Sequence, residues 1–351
     1  MLSTSWFMIA RSAQFRHSPN AQLVTSVQVH CDKSTVSSRF DPPAGFVRLH
    51  DDNGSNGPLT FVAHLQELRL KPCDAPVLHY DGTIKSAWVH EAVIDLPIGK
   101  RDLHQCADAV MRLWAEYLYA AGRADEIGFH FTNGFYADFA TWAKGNRIKV
   151  EGNKVKWMPG GAPGAGKETF WKYLETLFAY AGTLSLSKEL HPTSWANLKC
   201  GDVLIHGGSP GHAVIVIDCA VNPTTRQKCF MLAQSYMPAQ ELHILKSPNY
   251  PSSSPWYLHD PTANTLDTPQ WSFSTDELMS FTPIKPTFPH DVNFLIPLHF
   301  PRTECPRSLS AAETSTMCGA AFPENMASTP LSHRLDLEEA VRLRGAGKFR
   351  T

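Results

Sequence analysis

Cys200-Gly-Asp-Val-Leu-Ile-His206-Gly-Gly-Ser-Pro-Gly-His212-Ala-Val-Ile-Val-Ile-Asp218 is the most informative stretch of this chain of 351 residues. Asp202 to Ile205 reads as a strand. It runs into a loop with Gly207, Gly208, Ser209, Pro210 and Gly211, and the chain leaves through His212 into a second apolar, β-branched strand, Ala213 to Asp218. Glycines permit close backbone approach and positive φ, so such a loop can present amide groups or a side chain at a strand end. His212 is thereby held at the rim of a sheet. Phe230 to Tyr236 reads as the next strand and Leu242 to Leu245 as a fourth.

If the second and third strands form a hairpin about Pro223, His212 lies opposite Gln234. Directly opposed residues of an antiparallel pair share a face, so Gln234 could hydrogen-bond the imidazole and fix its tautomer. Gln234 also interrupts an apolar run, Phe230-Met-Leu-Ala233, which calls for a partner for its amide. Ser235 and Tyr236 follow it.

The first half of the chain supplies the helix that this sheet needs. Asp102 can cap it with Gln105 three residues on, and Leu103, Cys106, Ala107, Val110, Leu113, Trp114, Tyr117 and Leu118 recur at helical spacing before Gly122. Cys106 falls in the first turn, where the macrodipole and unpaired amides favour a thiolate and can cradle an oxyanion. A Cys on an apolar stripe can equally be core. His206 could share the role of His212, whereas Asp218 sits too far along its strand to orient it. Leu59 to Leu68 and Thr169 to Ala181 also read as helices. Pro76 to Tyr80, Trp88 to Leu96 and Phe129 to Thr132 read as strands, and Gly145 to Trp157 as a polar hairpin. The expected fold is α+β over residues 39–283, a single domain between a leader of residues 1–38 and a Pro/Ser/Thr-rich tail of residues 284–351. Leu335 to Leu343 is a possible short helix in that tail.

Composition narrows the function. Hydrophobic residues make up 43% and charged residues 19%, as in an ordinary globular chain, which excludes wholesale disorder. The net charge of -1 offers no basic excess for nucleic acid. The eight cysteines include no C-x-x-C pair, and no histidines have zincin spacing, so neither a metal nor a cofactor is expected. Their even number alone does not define a disulfide framework. No apolar run spans a bilayer. The leader lacks Asp and Glu through Cys31 and faintly resembles a transit peptide. Gly161-Ala-Pro-Gly-Ala-Gly166-Lys167 nearly spells a phosphate-binding loop. Glu168 stands where Ser or Thr should ligate magnesium, and the preceding Lys154-Val-Lys-Trp157 is too polar for the required strand. A glycine-rich linker is the better reading.

Four blocks resemble a bacterial family catalogued only as a domain of unknown function: Gln105-Cys106-Ala-Asp-Ala-Val-Met-Arg-Leu, Tyr180-Ala-Gly-Thr-Leu-Ser-Leu, Gly207-Gly-Ser-Pro-Gly-His212-Ala-Val-Ile-Val, and Leu232-Ala-Gln-Ser-Tyr-Met-Pro-Ala-Gln240 with His243-Ile-Leu. That resemblance spans roughly Arg39 to Phe281 and implies an exported protein, although the leader shows no clear export signal. Gly201-Asp-Val203, Gly211-His212 and Ala233-Gln-Ser235 are also similar to the corresponding places in NlpC-like and CHAP-type papain-fold amidases, while Gln105-Cys106-Ala107-Asp108 departs from their Asp-Cys-Ser-Gly nucleophile motif. The order Cys106, His212, Gln234 then implies a papain-like cysteine amidase or peptidase acting on a cell-wall-like peptide or glycopeptide. Gly208, Ser209, Gly211, Ser235, Tyr236 and Trp256 are its candidate substrate contacts. The alternative is a catalytically inert module that binds peptide or glycan in a groove lined by Tyr236, Trp256, Tyr257 and Trp271.

Overall fold

The computed structural model describes residues 27–50 and 59–281. Expectations for residues 1–26 and 282–351, among them the Leu335 to Leu343 helix, lie outside the described residues.

A nine-stranded antiparallel sheet organises the domain: β1 (Val47–Arg48), β2 (His90–Val93), β3 (His191–Pro192), β4 (Val203–His206), β5 (His212–Val221), β6 (Lys228–Gln234), β7 (His243–Leu245), β8 (Trp256–Leu258) and β9 (Leu278–Ser280). Its order is β2-β7-β6-β5-β4-β9-β3, with β1 also pairing β5 and β8 also pairing β6. The helices are α1 (Val36–Arg39), α2 (Phe61–Gln66), α3 (Cys106–Ala120), α4 (Phe139–Ala143), α5 (Lys167–Tyr180) and α6 (Thr183–Glu189). The α+β class is therefore as the sequence implies. Pro76 to Tyr80 departs from its strand reading: it makes only isolated bridges, Leu78 with Ile84 and His79 with Gln240. Helix α6, helix α4 and strand β9 are too short to show a period in the sequence.

Strands β5 and β6 run through the centre of the sheet, and both are buried almost throughout. Their apolar runs reflect this, since a strand covered on both faces has no reason to alternate. Helix α3 packs against β5 and buries Val110, Met111, Leu113 and Leu118. It starts three residues later than its periodicity suggests. Gln105 is the N-cap, with its N–H donating to Asp108 Oδ2 at 3.0 Å. Asp102 instead accepts from Ala239 N at 2.7 Å and from Gln105 Nε2 at 3.1 Å, which pins the helix start to the loop after β6.

The fold reaches back into the segment read as leader. Val29 bridges to Phe40, α1 begins at Val36, and Cys31 is disulfide-bonded to Cys73 with Cα atoms 5.5 Å apart. This cross-link ties the N-terminal segment to the loop ahead of β2. Closing a loop of that separation restricts the unfolded chain, so Cys73→Ser is expected to lower unfolding free energy by about 2–4 kcal/mol. Urea titration with and without reductant measures it, and the two curves should coincide for the variant.

The glycine-rich stretch before α5 follows an exposed two-stranded hairpin, Asn146–Glu151 with Lys154–Pro159, rather than a buried strand. Gly161 N donates to Gly145 O at 3.0 Å and Gly164 N to Ala143 O at 2.8 Å. A Cβ on Gly161 would collide with the Arg147 guanidinium. Packing thus accounts for these glycines, and two of the amides a phosphate would need are already engaged.

Candidate functional site

A slip in the β5–β6 ladder brings His212 and Gln234 onto one face. Lys228 to Met231 pair with Val221 to Asp218, after which Leu232 pairs with Val216 and Ala233 with Ile215. Ile217 is passed over. Continued without the slip, the first register would set Gln234 opposite Ile215, on the face away from His212. The bulge moves it opposite Val214, two residues from His212 and on the same face. The simple hairpin about Pro223 is thus corrected: the turn runs from Asn222 to Gln227, closed by Asn222 N to Gln227 O at 2.8 Å. The expected contact survives because the net displacement is two residues, an even number that keeps Gln234 on the face of His212.

His212 Nε2 lies 2.8 Å from Gln234 Oε1. The direction of this bond follows from a backbone group that can only accept. Glu241 O takes a hydrogen bond from His243 Nδ1 at 2.8 Å, so the neutral His243 ring offers Nε2 as an acceptor. Gln234 Nε2 donates toward that atom at 3.4 Å and to Gln270 Oε1 at 2.8 Å. The Gln234 carbonyl oxygen therefore faces His212 and accepts its Nε2–H, leaving the lone pair on His212 Nδ1. Gln234 is directly opposite His243 on β7, which explains how the two meet. Burial, opposed only partly by the Gln234 bond, pushes the His212 pKa down to about 4, and burial takes His243 down to about 3. Both rings are neutral at pH 7.

Aromatic rings wall the imidazole. Tyr236 meets it edge-on at 4.8 Å between centroids, Trp271 lies at 5.4 Å and Phe273 at 5.8 Å. Trp271 also lies 6.0 Å from His206, which the β4–β5 register sets opposite His212. His206 is exposed and paired with Glu277, so it stands on the rim and His212 behind it.

Cys106, the first residue of α3, is partly exposed and outside any disulfide. Burial first, and then charge at Cys106, hold the Tyr236 hydroxyl above its usual range, so the two side chains lie within electrostatic reach. Ser235 Oγ sits 2.8 Å from His104 O, two residues before Cys106, and 2.6 Å from Gln240 O. Tyr236 and Ser235 thus join the helix start to the end of β6. Among the sequence candidates, His212, Gln234 and Tyr236 come together, and Ser235 ties the end of β6 to the backbone just ahead of Cys106.

Others have structural explanations. A Cβ on Gly211 would meet Thr183 Oγ1 at 2.4 Å and Gly208 O at 2.5 Å, and Thr183 Oγ1 donates to Gly208 O at 3.1 Å. These glycines seat the loop on α6, and Ser209 is exposed beside them. Trp256 is a correction. Its side chain is fully buried, with the indole N–H donating to Asp41 O at 2.9 Å, and Tyr257 beside it is also buried. Neither can line a groove. Asp218, as expected, lies away from His212 and pairs with Arg48.

Three neighbours of the site carry little sequence signal. His243 is a polar residue inside an apolar strand, the same oddity that singles out Gln234, and could have been found by it. Lys85 and Gln270 lie on loops, where nothing in the pattern points inward. Among the described residues, no group of three or more His, Cys, Asp or Glu could hold a metal ion, and no helix is long and apolar enough to cross a membrane.

A family model described as "Domain of unknown function (4846)" matches residues 36–280. The chain belongs to this family. Its matched span takes in every element named above, from α1 to β9, and so contains the whole site. Nothing matches the chain among curated proteins or among solved structures.

Proposed function

We propose that this member of the family is a cysteine amide hydrolase of papain-like type, acting on peptide or glycopeptide. The observation that carries the reading is the 2.8 Å bond from His212 Nε2 to Gln234 Oε1, with Gln234 itself oriented by His243 and Gln270. It leaves Nδ1 as the basic nitrogen of a neutral, rigidly held ring, the form a general base needs. Cys106 is the nucleophile in this reading. It sits at the first position of a helix of 15 residues, where backbone amides and the dipole stabilise negative charge. Cys106 passes its proton to His212 Nδ1, and sulfur adds to the amide carbonyl. The amine leaves with that proton, and water then releases the acid and restores the thiol. In this reading the amides at the start of α3 serve as the oxyanion donors.

The Cys31–Cys73 bond fits an oxidising compartment, where such cross-links persist. A second reading, an inert peptide- or glycan-binding module, draws on half-buried Tyr236 and Trp271 beside His212.

Site-resolved alkylation separates the two. With iodoacetamide at pH 7, the Cys106 peptide is expected to label ahead of those of Cys200, Cys219 and Cys229. Those three are buried, and burial raises the thiol pKa of Cys219 and Cys229. His212→Ala should slow Cys106 labelling by roughly 100-fold or more, the low end of the scale of a lost general base. An unchanged rate would leave His212 without a role and favour the binding module.

A further inference from the structure

We propose that Lys85 gives this site an anionic specificity, binding a carboxylate of the peptide substrate alongside Tyr236; the inference rests on the hydrolase reading. Lys85 is 8% exposed, and among the described residues no carboxylate lies within salt-bridge distance of it. A buried ammonium without a counter-charge is uncommon, because removal from water is compensated only by a partner. Among the described residues its one side-chain hydrogen bond goes to Gln240 Oε1 at 2.7 Å, although an ammonium has three protons to give. The remaining charge lies over the Tyr236 ring, 5.3 Å from its centroid. That ring is the one His212 meets edge-on and Cys106 couples to.

The loop is built to place this cation. Lys85 N donates to Val77 O at 2.9 Å, and His79 N to Thr83 O at 2.8 Å, closing the chain on itself. His79 bridges to Gln240, whose carbonyl also holds Ser235. Lys85 and Ser235 are therefore set on the same short segment that follows Gln234. The nearby acid, Glu241, is occupied by Lys71 and by Leu78 N. Burial lowers the Lys85 pKa to about 8, so the charge is present at pH 7 and given up on mild alkalinisation.

Two alkylating agents that differ in charge read this directly. Iodoacetate is anionic and iodoacetamide neutral, and both consume the same thiolate, so their rate ratio cancels the ionisation of Cys106. Relative to a neutral model thiol, N-acetylcysteine amide, the Cys106 peptide of the full chain is expected to favour iodoacetate by roughly three- to tenfold at pH 7, as one nearby positive charge in a partly exposed site allows. Lys85→Gln should remove the preference, and Lys85→Arg should keep it. In the unmodified chain the preference should fade between pH 7 and 9, which tests the inference even where Lys85→Gln does not fold. The other groups facing Lys85 do not titrate in that window: His90, His212 and His243 are held low and Tyr236 high, all by burial. Labelling by both reagents with the ratio of the model thiol, unchanged by Lys85→Gln and by pH, overturns the anionic specificity and leaves the hydrolase reading standing. Labelling by neither reagent overturns both. Protection of Cys106 by N-acetylglutamate amide or by N-acetylalanine tells a side-chain carboxylate from a chain-terminal one, and protection by neither removes the carboxylate assignment.

Discussion

Replacing Asp218 with alanine is expected to cost about 3–5 kcal/mol of stability, because it leaves several buried donors facing an empty space. Asp218 has no solvent exposure and accepts from Arg48 Nε at 2.8 Å, Gln66 Nε2 at 2.7 Å and its neighbour's amide, Cys219 N, at 2.9 Å. Arg48 brings β1 and Gln66 brings α2 to the middle of β5, so one carboxylate ties three elements. Burial outweighs Arg48 and raises the Asp218 pKa, in keeping with a desolvation cost that offsets much of the pair's attraction. Breaking it therefore costs far more than removing it whole. Arg48→Met combined with Asp218→Leu should recover most of the loss, as apolar pairs of similar volume do. Urea unfolding of the three variants measures this. A loss below about 1 kcal/mol for Asp218→Ala would show that water replaces the carboxylate.

The network also illustrates that a buried, perturbed carboxylate can serve the fold. Among the described residues Asp218 and Arg48 form a conspicuous buried ion pair, and Asp218 lies six residues along β5 from His212. A perturbed carboxylate marks a functional site only when a reactive group shares it. Here its partners are an arginine, an amide, a backbone N–H and, at 4.0 Å, the Cys200 thiol, which is buried away from solvent.

What was legible in the sequence follows from the range of each interaction. The strands flanking the His206–His212 loop and the helix carrying Cys106 announce themselves through local pattern: β-branched runs in the first case, a repeating apolar stripe in the second. Gln234 and His243 are visible as polar intrusions into apolar strands. The register joining them was not legible. It depends on a turn from Asn222 to Gln227 and on the bulge that passes over Ile217, and both are settled by packing. A one-residue error there would have turned Gln234 away from His212. Trp256 was misplaced because an aromatic near a loop reads alike in a groove or in a core; its burial depends on Asp41, more than two hundred residues away. Lys85 shows the same limit from the other side. A lysine in a polar loop reads as solvated, and only the tertiary contacts of His79 and Tyr80 with the Gln240 segment carry it inward.

Acid should unfold this protein early, and His212 sets part of the slope. Its folded pKa, about 4, lies below the value near 6.5 expected for an unfolded histidine. A group depressed on folding contributes stability that is fully present above the unfolded pKa and lost as pH falls toward the folded one. Between pH 6.5 and 4 the unfolded chain takes up a proton that the folded one refuses. Each unit of that window is worth about 1.4 kcal/mol, so by pH 5 the His212 contribution has fallen by about 2 kcal/mol. His243, held down to about 3 by burial, acts in the same direction. Asp202 acts against them: burial raises its carboxyl to about 6, and protonating it below that value favours the folded state. The raw pH profile mixes these, so the informative quantity is a difference. His212→Asn keeps a polar group toward Gln234 without the titration. Urea midpoints at pH 7 and pH 5 should show the unmodified chain losing about 2 kcal/mol more than this variant over that interval. Equal losses would mean that His212 takes its proton in the fold as readily as in the unfolded chain. The ring would then still be mostly neutral at pH 7, but burial would no longer be what keeps it so.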